Sequence, residues 1–186
     1  NGTGNPSLGA NNITITNSYN YKVRNISGIG MTSTSTGDGF GVYATSCQDG
    51  ANNTNSEISH SAFNGNGTTA FVGVYISRCQ NLNLIQNNIR GFFFSGIQVD
   101  DTTLPVPANP TNTNFKIIGN DISASGTGLY VGGSDLGPGI GGALIWSNSQ
   151  YRNADFIIAD NNLHNNTTYG CVLQIKGMTM TGNYIV

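Results

Sequence analysis

Charge is what this chain of 186 residues has least of: only 9% is Asp, Glu, Lys or Arg, against roughly a quarter in an ordinary domain. Seven basic residues leave a net charge of −2, so there is no basic footprint for nucleic acid. No apolar run approaches the length of a membrane-spanning helix, and no signal peptide opens the chain. No window carries apolar residues at helical spacing, which excludes an amphipathic helix bundle. The three cysteines are odd in number and lack metal-ligand spacing. There is no P-loop, nucleophile elbow or metal box, so no cofactor is expected. Scarce charge with abundant Asn, Thr, Ser and Gly would suit a disordered chain, but short runs of strict apolar–polar alternation argue against that.

Those runs recur. The phrase apolar, polar, apolar, two further residues, Asn, any residue, apolar occupies 82–89, 115–122, 156–163 and 178–185, with a degraded copy at 56–63 and a slipped start at 13–17. Downstream of each but the last lies a short strand opening with glycine, at Gly41, Gly73, Gly96, Gly128 and Gly170. Both units alternate with period two, as half-buried strands do. The first unit turns Leu82/Leu84, Phe115/Ile117, Phe156/Ile158 and Met178/Met180 inward. The second turns Val42/Ala44, Val74/Ile76, Ile97/Val99, Leu129/Val131 and Cys171/Leu173 inward. A strand pair repeating every few tens of residues is the signature of a solenoid, whose coils bury a core only by stacking.

Asn87, Asn120, Asn161 and Asn183 share one offset, with Ser61 in the degraded copy. Asparagine tolerates left-handed backbone, which a sharp turn between sheets needs, and amides stacked about 4.8 Å apart can bond to one another. The pattern resembles the asparagine ladder of right-handed parallel β-helices, the pectin-lyase-like superfold shared by pectic enzymes, epimerases and phage tailspikes. The resemblance covers 10–186 and implies an all-β, right-handed parallel β-helix of about five to six coils. It does not by itself imply a chemistry, because one superfold hosts many.

The chain has the length of one domain. Residues 1–10 read as a linker, and 20–40, 100–114 and 132–153 as insertions between coils. With neither end showing a polar cap, the chain reads as a segment of a longer protein. Cys171 falls at an inward position. Cys47 and Cys79 each lie six residues past their glycine, stacked either as free thiols or, with awkward parallel geometry, as a disulfide.

The outward row of the second strand runs Tyr43, Tyr75, Gln98, Tyr130, Val172. A ribbon of tyrosines is a platform on which sugar rings dock, and equally a set of stacked aromatics that stabilises a sheet. Just beyond it sit Asp100 and Asp101, one rung from Arg78. A carboxylate pair is the minimum for glycoside hydrolysis. Polygalacturonase-like hydrolases combine an Asp-Asp pair with a Gly-His-Gly turn and an Arg-Ile-Lys segment; Asp100-Asp101 resembles the first, and neither other motif is present. The acidic calcium cluster of pectate-lyase-like sites is also absent from the sequence. Glu57 is the only glutamate and an unsupported candidate acid. Outward Ile85, Ile118, Ile157 and Ala159 form an apolar stripe, covered either by a loop or by neighbours in a homotrimer like the tailspikes the chain resembles.

The expectation is therefore an extracellular or virion-surface β-helix that engages polysaccharide. Tyr43, Tyr75, Gln98, Tyr130 and Arg78 would contact ligand, and Asp100 and Asp101 would be catalytic if it cleaves. As an enzyme it would be a glycoside hydrolase or polysaccharide lyase. The rival is a structural or adhesive β-helix without catalysis.

Overall fold

The computed structural model describes residues 13–31, 39–47, 54–66, 69–100, 111–131, 153–173 and 175–186. Among them every regular element is a strand, and all pairing between strands is parallel. Three six-stranded sheets result. Sheet A stacks Ile13–Thr16, Phe40–Cys47, Val72–Cys79, Ser95–Asp100, Thr127–Val131 and Tyr169–Leu173. Sheet B stacks Lys22–Arg24, Ser56–Ser59, Leu82–Ile85, Asn112–Ile118, Asn153–Ala159 and Lys176–Thr181. Sheet C stacks Ser27–Met31, Ala62–Gly65, Asn88–Arg90, Asp121–Ser123, Asn162–His164 and Tyr184–Ile185. The chain visits A, B and C in turn and then steps up one rung, the arrangement of a parallel β-solenoid.

The inward sets read from alternation are the core. Val42, Ala44, Val74, Ile76, Ile97, Val99, Leu129 and Val131 from sheet A are fully buried, as are Leu82, Leu84, Phe115, Ile117 and Ile158 from sheet B. Each column is in register, for example Val42 against Val74, Val74 against Ile97 and Ile97 against Leu129. Phe115 stacks on Phe156 with centroids 4.8 Å apart, the spacing of adjacent strands. Only the last rung departs from this pattern: Met178 is 42% exposed and Met180 37%, while Cys171 and Leu173 are half-buried.

Two sheets per coil were expected, and there are three. The extra one begins at the residue after each ladder Asn and turns a single side chain inward: Phe63, Ile89, Ile122 or Leu163, all buried. These tips fill the space left by the glycines that open sheet A. A Cβ on Gly73 would run into Cγ2 of Ile89, and one on Gly96 into Cγ2 of Ile122. The first coil also differs from expectation. Residues 13–17 do not begin the series that precedes the ladder; Ile13 pairs with Val42 in sheet A. The first rungs of sheets B and C lie at Lys22–Arg24 and Ser27–Met31, inside the segment 20–40 that had read as an insertion.

The ladder is present and has a direction. Oδ1 of Asn120 accepts the backbone N–H and the Nδ2 of Asn87, both at 3.0 Å; Oδ1 of Asn161 receives the same pair from Asn120, and Oδ1 of Asn183 from Asn161. Each Nδ2 also donates back to a strand carbonyl: Asn87 to Ile58, Asn120 to Leu84, Asn161 to Ile117 and Asn183 to Ile158. The left-handed backbone sits one residue earlier than expected, at His60, Gln86, Gly119, Asp160 and Gly182, and not on the ladder residues themselves. The preceding residue makes the turn, and the asparagine satisfies the groups the turn leaves open.

The other two corners are built alike. Between sheets A and B, Oδ1 of Asn112 accepts the N–H of Cys79, and its Nδ2 donates to the carbonyl of Asp100 and to Oδ1 of Asn153. Cys47 and Cys79 occupy the same column in register. Neither forms a disulfide, and both are fully buried thiols, each donating to the carbonyl two residues back. The interaction between the two thiols lowers Cys47 and raises Cys79; with both enclosed in the core, the upward direction governs the pair, because burial disfavours a thiolate. Burial, with the two thiols nearby, also pushes the Tyr21 phenol far up, and its hydroxyl has no hydrogen-bond partner among the described residues. Between sheets C and A, Ser125 Oγ accepts from Phe92 N–H and Asn166 Oδ1 from Ser125 N–H.

Candidate functional site on the outer face of sheet A

The register places Tyr43, Tyr75, Gln98, Tyr130 and Val172 in one column, each directly against the next. Tyr43 and Tyr75 lie face over face, centroids 5.1 Å apart and planes 7° from parallel. Phe40 tilts against both, at 5.2 and 5.3 Å, and meets Phe71 edge-on at 6.0 Å. Phe71 in turn stacks on Phe94 at 5.0 Å. The consecutive Phe92, Phe93 and Phe94 thus separate at a corner: Phe92 enters the core, Phe94 joins the outer cluster and Phe93 is half exposed. The result is an aromatic surface along one edge of sheet A, apolar at its faces and hydroxyl-bearing at the tyrosines.

Beyond the tyrosines the column becomes polar. Gln98 and Asp100 share the outward side of their strand yet are only 7% and 5% exposed. Nε2 of Gln98 donates to Oδ2 of Asp100 at 3.4 Å, and among the described residues Oε1 of Gln98 is a buried acceptor without a partner. Asp100 faces Ser77 across the sheet. Arg78 follows at the end of its strand with a positive φ of 56°, and among the described residues it forms no salt bridge. Asp101 and the side chain of Tyr130 lie outside what is described.

Two polar clusters on the other sheets bear on acid–base chemistry. On sheet B, Glu57 receives Nε and Nη2 of Arg24 at 2.8 and 2.7 Å, accepts from Ser59 Oγ and lies 3.5 Å from Lys22 Nζ. The Arg24 and Ser59 hydrogen bonds, Arg24's charge and, least, Lys22's outweigh partial burial and hold its carboxyl down at about 2. A carboxyl so held stays ionised and has no proton to give near neutral pH, which removes Glu57 as a general acid. On sheet C the coils bring together His164 and Asp121, a pair sequence reasoning missed. Nε2 of His164 is 3.0 Å from Oδ1 of Asp121, while Asn165 Nδ2 lies 3.0 Å from His164 Nδ1 and Asn162 Nδ2 donates to the same Asp121 oxygen. Both ring nitrogens are thus engaged, one with Asp121 and the other with Asn165. The pair's only sequence signal was a shared position one residue either side of the sheet C tips.

The apolar stripe on sheet B divides into two columns. Ile85, Ile118 and Ala159 are in register, whereas Ile157 stands in the next column against Lys116. Ile157 is 39% exposed and Ala159 is buried; Ile85 and Ile118 are half-buried. Among the described residues no three His, Cys, Asp or Glu side chains cluster as a metal site, and no helix is long and apolar enough to cross a membrane. No family model matches this sequence, and no curated protein or solved structure matches it.

Proposed function

We propose that the protein is an extracellular, polysaccharide-binding right-handed β-helix of the pectin-lyase-like type, comparable to a phage tailspike body, and that the outer face of sheet A holds the glycan. The observation that carries this reading is the parallel Tyr43–Tyr75 ring pair on a stiff solenoid, in register with Gln98 and adjacent to Asp100. The rings, stacked on each other, present their edges and hydroxyls along the outer face to the C–H groups of a sugar, and Gln98, Asp100, Arg78 and Tyr130 would supply the polar contacts that orient it. Any cleavage would rest on Asp100 and Asp101, which must approach to about 5–5.5 Å for retention or 6.5–9.5 Å for inversion. Three copies would associate through the column of Ile85 and Ile118, with Ile157 at its margin.

A screen against an oligosaccharide array tests the proposal. Binding is expected, with Tyr75→Ala weakening it about tenfold or more, since stacking contacts are worth about 1–3 kcal/mol when removed. No binding to any glycan, or full binding by Tyr43→Ala and Tyr75→Ala, would refute it. Loss of depolymerisation in Asp100→Asn and Asp101→Asn would extend the proposal to catalysis.

A structural β-helix without ligand is the second reading. Phe40 packed against both tyrosines favours it, because the rings are then satisfied within the protein. In that case Tyr75→Ala lowers the unfolding midpoint and changes nothing else.

A further inference from the structure

Gln98 combines three properties that a merely structural residue at an outward position does not need. It is more than nine-tenths buried, its amide is oriented by Asp100 through Nε2, and its Oε1 is left without a donor among the described residues. A buried acceptor that gave up water and gained nothing is a cost that substitution by an apolar residue would remove. Its neighbour in the column is Tyr75, the face of the aromatic platform.

We propose that Gln98 is a specificity contact for N-acylated amino sugars, its Oε1 accepting the N–H of an acetamido group whose methyl lies on the Tyr75 ring. The proposal rests on the glycan-binding reading above and names the class of sugar that reading leaves open. A trans amide suits a lone acceptor among aromatic rings, because its N–H carries no lone pair at the contact and its carbonyl points the opposite way, toward solvent. A hydroxyl in the same place would turn its own lone pairs toward the rings, whereas the acetamido methyl is apolar. Sites built around a specific donor discriminate strongly against the analogue that lacks it, because their own polar atom is then left unpaired. Since Oε1 exposes almost no surface, the sugar reaches it only after the surrounding surface parts. Association is therefore slower than the usual ~10⁵–10⁷ M⁻¹s⁻¹.

The test is an array of matched oligosaccharides, N-acetylhexosamine against the corresponding hexose, probed with the wild-type chain, Gln98→Met, Gln98→Leu and Tyr75→Ala. The wild type is expected to prefer the N-acetylated member of a pair about tenfold or more. Gln98→Met and Gln98→Leu should bring that preference to about one, with an unfolding midpoint equal to or above the wild type's because an unsatisfied acceptor has been removed. Tyr75→Ala should weaken both members. Glycan binding that depends on Tyr75 but shows no N-acetyl preference, or a preference that survives both Gln98 variants, overturns this inference and leaves the binding reading standing. Absence of binding to every glycan overturns both. A lowered midpoint in both Gln98 variants with unchanged preference would make Gln98 a packing residue and likewise overturn the inference.

Discussion

Replacing Asn120 by alanine should be among the most damaging single changes on this chain's polar residues. The side chain is 1% exposed and makes five hydrogen bonds: Oδ1 accepts from the N–H and Nδ2 of Asn87, and Nδ2 donates to Leu84, Ile118 and Asn161. Not all of these losses count equally. Asn87 Nδ2 keeps Ile58, Asn161 Oδ1 keeps the Asn120 N–H, and the Ile118 carbonyl keeps Gln86 N–H. The backbone N–H of Asn87 loses the one acceptor shown for it, and an orphaned buried donor costs about 1–3 kcal/mol. With about 1 kcal/mol for the bonds Nδ2 loses, the sum is ~2–4 kcal/mol. For a chain of this size that is a fall of roughly 5–15 °C in unfolding midpoint. Urea unfolding of Asn120→Ala beside Asn88→Ala measures it. Asn88 is the next residue but one beyond Gln86, exposed on the outer side of sheet C, and its loss should cost under about 0.5 kcal/mol. Equal effects for the two variants would refute the argument that the corner asparagines hold the coils together.

Other outcomes follow from the same geometry. Glu57 has a folded pKa of about 2 against about 4.3 in an unfolded chain, so its contribution is present above that unfolded value and is lost as pH falls toward 2. Glu57→Gln should therefore cost about 1 kcal/mol at pH 7 and little at pH 2, by paired denaturation curves. Gly96→Ala should destabilise by about 1–3 kcal/mol through overpacking against Ile122, and Ile122→Ala in the same chain should recover part of the loss. Cys47 and Cys79 should resist alkylation in the folded protein and react only at the rate of unfolding, as followed by mass spectrometry.

Strict alternation made the cores of sheets A and B readable, because every strand of sheet A and four of the six in sheet B turn at least two apolar residues inward. Sheet C was not readable for the same reason. Its four middle strands carry one inward side chain each, and a lone Ile89 or Leu163 after an asparagine cannot be told from the tail of the preceding strand. The first coil hid behind its composition: Val23 is the single inward aliphatic of Lys22–Arg24, too little to register as a repeat. The column Cys47, Cys79, Asn112, Asn153 changes residue type halfway along, so no fixed letter marks that corner. Gln98 fell on the outward row as expected, and Asp100, read as lying just beyond it, is the last residue of the same strand. Their burial could not be foreseen, since alternation tells which way a side chain points and not what lies over it.

The claim on which the rest depends is that residues tens of positions apart stand one above another. A nuclear Overhauser spectrum of the folded protein tests it directly through the side-chain amides. Cross-peaks should connect Asn87 to Asn120, Asn120 to Asn161 and Asn161 to Asn183 in series, with the Tyr43 and Tyr75 rings in mutual contact. A well-dispersed spectrum in which those amides see only their sequence neighbours would contradict the stacked coils and, with them, the binding face.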